Sequence, residues 1–392
     1  MSDAILLAWL HMRHHRGRSA LLVLALAIVA FLPLAVDQLV HAGESALRER
    51  AESTALVAGA DVSPLDVVLA ALYFRDPPVK TITQSELVSI TTDELGIVVP
   101  LSLGFQAGDA PLVGTLIDYF DVRGLKFASG RPFAVLGECV LGFDAAKRNG
   151  LRPGMTLTSE PVNMLSLAGS YPIRMQVVGV LERSGGPDDD AVFTDLRTTW
   201  VIAGLGHGHE DLSKTTDSEM IMGSTDGVIR GSAKVREYVE FNEETIKAVH
   251  FHGDTNEFPI TSAIIVPADA KSQTILMGRS AAGKLPVRLF EPTRSIEQLL
   301  VEVFKVRSIL LMVLGVVALA MCVLVGVVIA LSIRIRSEEI ETMHRVGCSP
   351  GRVGMILGAE VCLLIVVSGA IALVGAFTLG FADSLAVDLF TR

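Results

Sequence analysis

The stretch SILLMVLGVVALAMCVLVGVVIALSIRIRSEEIETMHRVGCSP, residues 308–350, decides how this chain is organised. It opens with an uncharged apolar run over residues 308–333, which is long enough to cross a bilayer as one helix at about 1.5 Å per residue. A short charged helix is predicted next, and Gly347 suits the left-handed position that ends a helix. Ser349 and Pro350 form an N-cap followed by proline at the first helical position, so another helix begins at once. The stretch predicts a membrane hairpin with a short helix at its tip.

Two further apolar runs, residues 19–36 and about 353–379, are also long enough to be transmembrane helices. Half of the 392 residues are hydrophobic, which is too many for an ordinary soluble protein. Between the first two runs, short β-like segments alternate with turn signals and helical segments. The sequence therefore predicts a membrane protein with three transmembrane helices and a large α+β extracytoplasmic domain inserted between the first and the second.

The orientation follows from the arginines that flank the spans, because Lys and Arg are enriched on the cytoplasmic side. Three arginines precede the first span and four fill the loop between the second and third: Arg13, Arg16, Arg18, Arg334, Arg336, Arg345 and Arg352. Both groups are expected in the cytoplasm, which puts the large domain and the C-terminal tail outside. Lys305 and Arg307, on the outer flank of the second span, oppose this orientation but are outnumbered.

The N-terminal residues 3–16 combine apolar side chains with a basic end, and we expect them to lie along the inner membrane surface before the chain turns at Gly17. A signal peptide cleaved after residues 40–42 is the alternative. The apolar run is longer than that of a usual signal peptide, which favours the retained span.

The predicted organisation has five parts. They are an N-terminal segment and first transmembrane helix at 1–40, an extracytoplasmic domain at 41–294, a stalk and second transmembrane helix at 295–335, a cytoplasmic loop at 336–352, and a third transmembrane helix with a short external tail at 353–392. Within the domain, strands are predicted over residues 96–103, 111–117, 174–181 and 262–267. A helix is predicted over 143–149, and solvated loops over 184–190 and 203–223.

Charge and cysteine usage exclude some functions. Residues 41–303 carry 23 Lys and Arg against 35 Asp and Glu, a net charge of −12, so the external part is acidic and disfavours nucleic acid. Cys139 is the one cysteine of the predicted domain, so an intramolecular disulfide framework or a cysteine metal cluster is not expected there.

This layout resembles the FtsX/MacB/LolC-type permeases of ABC transporters. The most specific similarity is RSEEIETMHRVGCSPGR, residues 336–352, which looks like the loop that follows the second span in that family. The segment DYFDVRGLKFASGRPF, residues 118–133, resembles the MacB-type periplasmic domain. The similarity covers most of the chain and is weakest over residues 200–260. Family members usually have a fourth span, and the short tail here is expected of either a three-span variant or a truncated chain.

The resemblance implies that the tip helix contacts a cytoplasmic ATPase. The predicted coupling residues are Arg336, Glu338, Glu339, Ile340, Met343, Arg345, Gly347 and Ser349. Apolar anchors three residues apart are typical of a helix that docks into a groove. The alternative is a helix that only lies on the lipid headgroups. Glu360, in the third span, is a further candidate because a membrane carboxylate is costly, and we favour a polar-contact role over a proton relay.

Residues 278–284, Gly-Arg-Ser-Ala-Ala-Gly-Lys, match the first part of a phosphate-binding loop. Leu285 stands where that motif needs Ser or Thr to bind Mg²⁺, so we interpret the match as coincidence. No cofactor is expected to bind directly, and ATP hydrolysis is expected in a partner subunit.

Two His-x-His pairs, His207 with His209 and His250 with His252, could bind Zn²⁺ if each segment is extended, because alternate residues then point the same way. The nearby carboxylates Glu210, Asp211 and Asp254 could complete such sites. The alternative is two exposed polar loops that contain histidine.

Taken with the resemblance, these features imply a non-enzymatic permease subunit of an ABC-type mechanotransmission complex in the cytoplasmic (inner) membrane. Its expected partners are an ATPase, a second copy or a paired permease, and an extracytoplasmic lipoprotein, peptide or protein. The alternative function is a membrane-anchored extracytoplasmic sensor or scaffold that binds a ligand, such as a metal ion, without transport.

Overall fold

The computed structural model describes residues 2–75, 77–91, 95–160, 172–208, 221–225, 228–231, 239–241, 246, 249–335 and 337–380. The chain forms two compact units. One consists of Met1–Leu47 with Gln298–Arg392, and the other is Arg48–Glu297.

The first unit is helical. Its elements are α1 Ser2–His14, α2 Arg16–Glu52, α9 Pro292–Ile335, α10 Ser337–Arg345 and α11 Pro350–Gly380, with the ends of α2 and α9 belonging to the second unit. Three of them, Arg16–Glu52, Pro292–Ile335 and Pro350–Thr378, are long and apolar enough to cross a membrane. The predicted three spans and the stalk continuous with the second span are therefore found as helices. The break before α2 falls at His15, so the predicted turn at Gly17 is wrong by two positions.

Small and hydroxyl side chains allow α2 and α11 to lie close together. A Cβ atom built on Gly375 of α11 would lie 3.2 Å from the ring of Phe31 in α2. Ser368 Oγ donates to the carbonyl oxygen of Val23 at 3.1 Å and to that of Leu364 at 2.7 Å. Such residues are typical of helix contacts within membranes. The hydrophobic effect does not drive helix association there, and close packing and interhelical hydrogen bonds do.

The second unit, which we call the domain, is a mixed sheet with helices. Its helices are α3 Pro64–Tyr73, α4 Gln84–Thr91, α5 Asp118–Val122, α6 Phe143–Asn149, α7 Leu196–Ile202 and α8 Ala270–Ala281, with 3-10 helices at Pro187–Asp190 and Thr255–Glu257. Its strands are β1 Leu56–Gly59, β2 Ile82–Thr83, β3 Gly96–Ala107, β4 Ala110–Thr115, β5 Phe127–Gly130, β6 Glu138–Leu141, β7 Thr156–Thr158, β8 Ile173–Leu181, β9 Val192–Asp195, β10 Gly206–Gly208, β11 Ile221–Thr225, β12 Val228–Gly231, β13 Val239–Glu240, β14 Val249–Phe251, β15 Pro259–Ile260, β16 Ser262–Pro267 and β17 Arg288–Phe290.

Eleven strands form one sheet in the order β13-β8-β6-β9-β4-β3-β16-β1-β17, with β5 and β7 also paired to β8. The pairs β4–β9, β6–β8 and β13–β8 are parallel and the others in this sheet are antiparallel. Strands β1 and β6 are buried along their whole length, as expected where both faces of a sheet are covered. One apolar core lies around Leu56, Ile265 and Trp200, and a second lies around Leu112 and Val177. The predicted α+β class of the domain is confirmed.

Two loop predictions are wrong. Residues 187–190 form a 3-10 helix in which the side chains of Asp188 and Asp189 are buried, because protein groups replace water around both carboxylates. Asp189 accepts hydrogen bonds from the amides of Ser184 and Gly185 at 2.8 and 2.7 Å. In the segment 203–223, residues 206–208 belong to β10, which pairs with the distant strand β14, and residues 221–223 belong to β11, which pairs with the following strand β12. Residues 209–220 lie outside the described part of the chain.

Gly142, just before α6, is a position where only a hydrogen fits. A Cβ atom there would collide with the backbone carbonyl oxygens of Asp188 and Asp189. We expect Gly142→Ala to destabilise the domain by about 2 kcal/mol, because two backbone segments must separate. Gly278→Ala, inside α8 with open space around its Cβ position, is the control and should change stability by at most about 1 kcal/mol, towards greater stability. Chemical unfolding of both full-length variants measures this, and equal losses would contradict the steric explanation.

Candidate coupling site

The tip helix α10 joins the two longest apolar helices of the C-terminal half. Gly347, two residues after the end of α10, has a φ of +98°, and α11 begins at Pro350. The predicted left-handed glycine and the predicted helix start at proline are therefore both confirmed. On its polar side, Arg345 Nη2 donates to Glu341 Oε1 at 2.7 Å, and Thr342 Oγ1 donates to the Glu338 carbonyl oxygen at 2.8 Å. The i,i+4 ion pair adds a small stabilisation, about 0.2–0.5 kcal/mol, to this nine-residue helix.

The helix is strongly amphipathic. Its polar side carries Glu338, Glu341 and Arg345, whereas Ile340 is half-buried and the adjoining Val346 is 81% exposed. Ser349 precedes the first residue of α11. The backbone of Glu339 and Met343 lies in α10, but their side chains are outside the described part of the structure, as is residue Arg336. The structure thus brings most of the predicted coupling residues onto one short helix and its exit turn.

Glu360 lies in α11 and is 6% exposed. Its Oε1 atom accepts a hydrogen bond from Arg18 Nη2 at 3.0 Å and lies 3.2 Å from His11 Nδ1. The carboxylate therefore links α11 to both α1 and α2. A buried charge with such partners is retained at far lower cost than an isolated one.

The two cations that oppose the predicted orientation have acidic partners. Arg307 pairs with Asp37 of α2, and Lys305 Nζ lies 2.7 Å from Glu302 Oε1. Both cations near the start of the second apolar helix therefore have a carboxylate partner. The rule that orients spans counts Lys and Arg rather than net charge, so the orientation remains a prediction.

Arg50 occupies the domain end of α2 and contacts three other segments. Its Nη1 and Nη2 atoms bond the two carboxylate oxygens of Asp188 at 2.5 and 3.0 Å, while Nε donates to the carbonyl oxygen of Leu72 at 3.2 Å. The Tyr119 hydroxyl donates to Asp188 Oδ1 at 2.6 Å. The side chains of Arg50 and Asp188 are 12% and 1% exposed. A single guanidinium thus joins α2, the end of α3, α5 and the 3-10 helix.

The electrostatics of this cluster depend on the pairing. Burial alone raises the pKa of Asp188, but the charge and hydrogen bonds of Arg50 outweigh it and hold the pKa below its usual range. Burial and the Asp188 charge raise the pKa of Tyr119, so the phenol stays protonated and acts as a donor. A second cation, Arg123, lies 5.9 Å above the Tyr119 ring and donates from Nη1 to Thr54 Oγ1 at 2.7 Å. Burial and the neighbouring Arg50 charge lower its pKa.

Three of the four predicted histidine ligands, His207, His250 and His252, lie on or directly beside the neighbouring strands β10 and β14. His207 of β10 lies directly opposite His250 of β14, and the ring centroids of His250 and His252 are 5.0 Å apart. His209 is outside the described residues, and so is the side chain of His207. Asp254 accepts a hydrogen bond from the amide of Asn256 at 2.9 Å and caps a 3-10 helix. Among the side chains that the structure describes, no group of three or more metal-binding residues is assembled.

The phosphate-loop match has helical geometry. Residues 278–281 form the last turn of α8. A helix turn has its amides committed to its own hydrogen bonds and cannot wrap them around a phosphate.

The fold and these helices define a membrane protein with a mixed-sheet domain. The family model for the MacB-like periplasmic core domain matches residues 19–233. The chain therefore belongs to this family, the MacB/FtsX-type ABC transporter permeases, and the predicted resemblance is confirmed. It is a membrane subunit of an ABC transporter.

Two solved structures are similar to part of this chain. The crystal structure of the periplasmic region of MacB from Actinobacillus actinomycetemcomitans is 17% identical, covers 64% of this chain and 96% of its own, and gives a TM-score of 0.34. The extracellular domain of the noncanonic ABC-type transporter YknZ from Gram-positive bacteria is 11% identical, covers 60% of this chain and 99% of its own, and gives a TM-score of 0.33. No curated protein matches the chain.

Proposed function

We propose that this chain is the permease subunit of an ABC-type mechanotransmission complex. The observation that carries the proposal is the amphipathic helix α10, held between two apolar helices in a chain of the MacB-like family. A cytoplasmic ATPase binds α10 through Ile340 and Met343, and ATP binding and hydrolysis in that partner move the tip. The coupling residues Glu338, Glu339 and Arg345 set the polar side of this contact. The chain itself binds no nucleotide.

The movement of the tip is transmitted by helix continuity. Helix α9 runs without interruption for 44 residues from the start of the stalk to the tip, and its first turns bury Ile296 and Leu300. Within the domain, the bidentate bond of Arg50 to Asp188 joins the last turn of α2 to the 3-10 helix Pro187–Asp190. A displaced helix therefore moves the groups to which its end is bonded, rather than sliding past them.

The expected assembly is a homodimer or a pair of related permeases in the inner membrane, with the acidic domain on the extracytoplasmic side. The affinity of the domain for a lipoprotein, peptide or partner protein changes during the ATPase cycle. Its negative charge favours a cationic or neutral surface on that ligand.

The proposal is tested by purifying the tagged full-length chain in detergent from its native membrane and identifying the co-eluting proteins by mass spectrometry. We expect an ATPase subunit in roughly stoichiometric amount, which is absent from the same membrane without the tag. Recovery of the chain alone, or with external proteins only, would overturn the proposal and favour the sensor or scaffold function.

A further inference from the structure

 His207, His250 and His252 lie on the two-stranded ribbon formed by β10 and β14, with His252 directly after the last residue of β14. In this antiparallel pair His207 lies opposite His250, and the amide of His252 donates to the carbonyl oxygen of Leu205 at 2.8 Å, so the ladder extends to residue 252. Residues directly opposite each other share a face of the ribbon, and alternate residues of one strand do as well. Positions 207, 250 and 252 therefore lie on one face.

The other face of the ribbon is anchored in the domain. Phe251 packs edge-to-face against Trp200 and Phe258, with ring centroids 6.2 and 5.8 Å away. Gly206, opposite Phe251, leaves room for that ring, because a Cβ atom there would come within 2.6 Å of it. His250 and His252 are exposed. The aromatic face thus fixes the ribbon while the histidine face stays accessible to a ligand.

The spacing of the imidazoles suits one metal ion. With metal–nitrogen bonds of about 2.0–2.1 Å and a tetrahedral angle, two imidazole rings on one ion have centroids about 5 Å apart. The centroids of His250 and His252 are 5.0 Å apart, with the rings inclined at 72°. Opposite residues in an antiparallel pair have Cα atoms about 4.5–5.5 Å apart, and the register places position 207 directly opposite His250.

We propose that His207, His250 and His252 form one site for a borderline divalent metal ion such as Zn²⁺, rather than two separate His-x-His sites. Three imidazoles leave a fourth position for water or an external carboxylate. His209 is not needed for this site. The inference is independent of the proposed coupling to an ATPase.

The test uses the full-length chain without a polyhistidine tag, purified in detergent, stripped with EDTA and titrated with Zn²⁺ against a chromogenic chelator. We expect one zinc ion per chain, and at least about tenfold weaker binding in each of His207→Gln, His250→Gln and His252→Gln. Co²⁺ should give the visible absorption typical of tetrahedral coordination in the wild type, and each substitution should reduce it.

The double variant His14→Gln/His15→Gln is the matched control, because these two rings are also close, with centroids 4.9 Å apart. It should bind zinc as the wild type does. Absence of zinc binding, unchanged affinity in His250→Gln and His252→Gln, or loss of binding in the control would each overturn the proposal. Metal-free unfolding curves that match the wild type show that the variants fold, as expected for exposed positions 250 and 252.

Discussion

Asp188→Asn is expected to lower the free energy of unfolding of the domain by about 3–5 kcal/mol, as is typical when one partner of a buried ion pair is removed. The substitution leaves the Arg50 guanidinium, 12% exposed, without its bidentate acceptor. It also leaves Arg123 nearby as a second buried cation, whose Nε and Nη2 atoms have no hydrogen-bond partner among the described residues. Chemical unfolding followed by the fluorescence of buried Trp200 measures the loss.

Asp190→Asn is the matched control for this prediction. Asp190 lies two residues away in the same 3-10 helix and pairs with Arg148, but both side chains are more than 40% exposed. Exposed ion pairs contribute at most about 1 kcal/mol, so this variant should unfold nearly as the wild type does. Similar losses of unfolding free energy in Asp188→Asn and Asp190→Asn would contradict the prediction that the buried ion pair stabilises the domain more than the exposed one.

The same ion pair predicts a dependence on pH. The pKa of Asp188 lies below its ordinary value in the folded domain, so the unfolded chain binds this proton more readily. The contribution of Asp188 to stability is therefore fully present above the unfolded pKa, near 3.8, and is lost as the pH falls through the folded pKa. The difference in stability between wild type and Asp188→Asn should shrink on acidification below about pH 4. A constant difference would contradict the pairing.

Sequence patterns predicted the elements whose bounds depend on residues that are close together in the chain. Strand β16 and helix α6 have the predicted bounds, because an apolar β-branched run and a glycine-terminated helix are specified by neighbouring residues. The ends of the tip helix were predicted for the same reason. The continuous helix α9 followed from apolar spacing alone.

Contacts between distant residues could not be predicted in this way. Arg50 and Asp188 are 138 positions apart, and the acidic run around Asp188 has the composition of a solvated loop. The fold places the Arg50 guanidinium against Asp188, so this carboxylate is buried in an ion pair rather than solvated. The two His-x-His pairs were recognised as motifs, but the placement of His207 opposite His250 depends on the register of β10 and β14.

Ile340→Asp is expected to weaken the association with the ATPase by at least about 30-fold, under the proposed function. Ile340 is the half-buried apolar residue of the amphipathic helix α10. In a docked helix, a carboxylate at this position would be buried without a partner, and loss of a central apolar anchor typically costs about 2–4 kcal/mol. The co-purified amount of ATPase, relative to the chain, measures the effect.

Thr342→Asp is the matched control, since it adds the same charge to the same helix. Two residues further along an α-helix, a side chain lies about 200° around the axis, so position 342 is on the opposite side from Ile340. Thr342 is exposed, and its hydroxyl contacts only its own helix in the described bonds. We expect this variant to retain the ATPase. Equal retention by both variants, at equal levels of the chain in the membrane, would show that α10 does not dock through its apolar side.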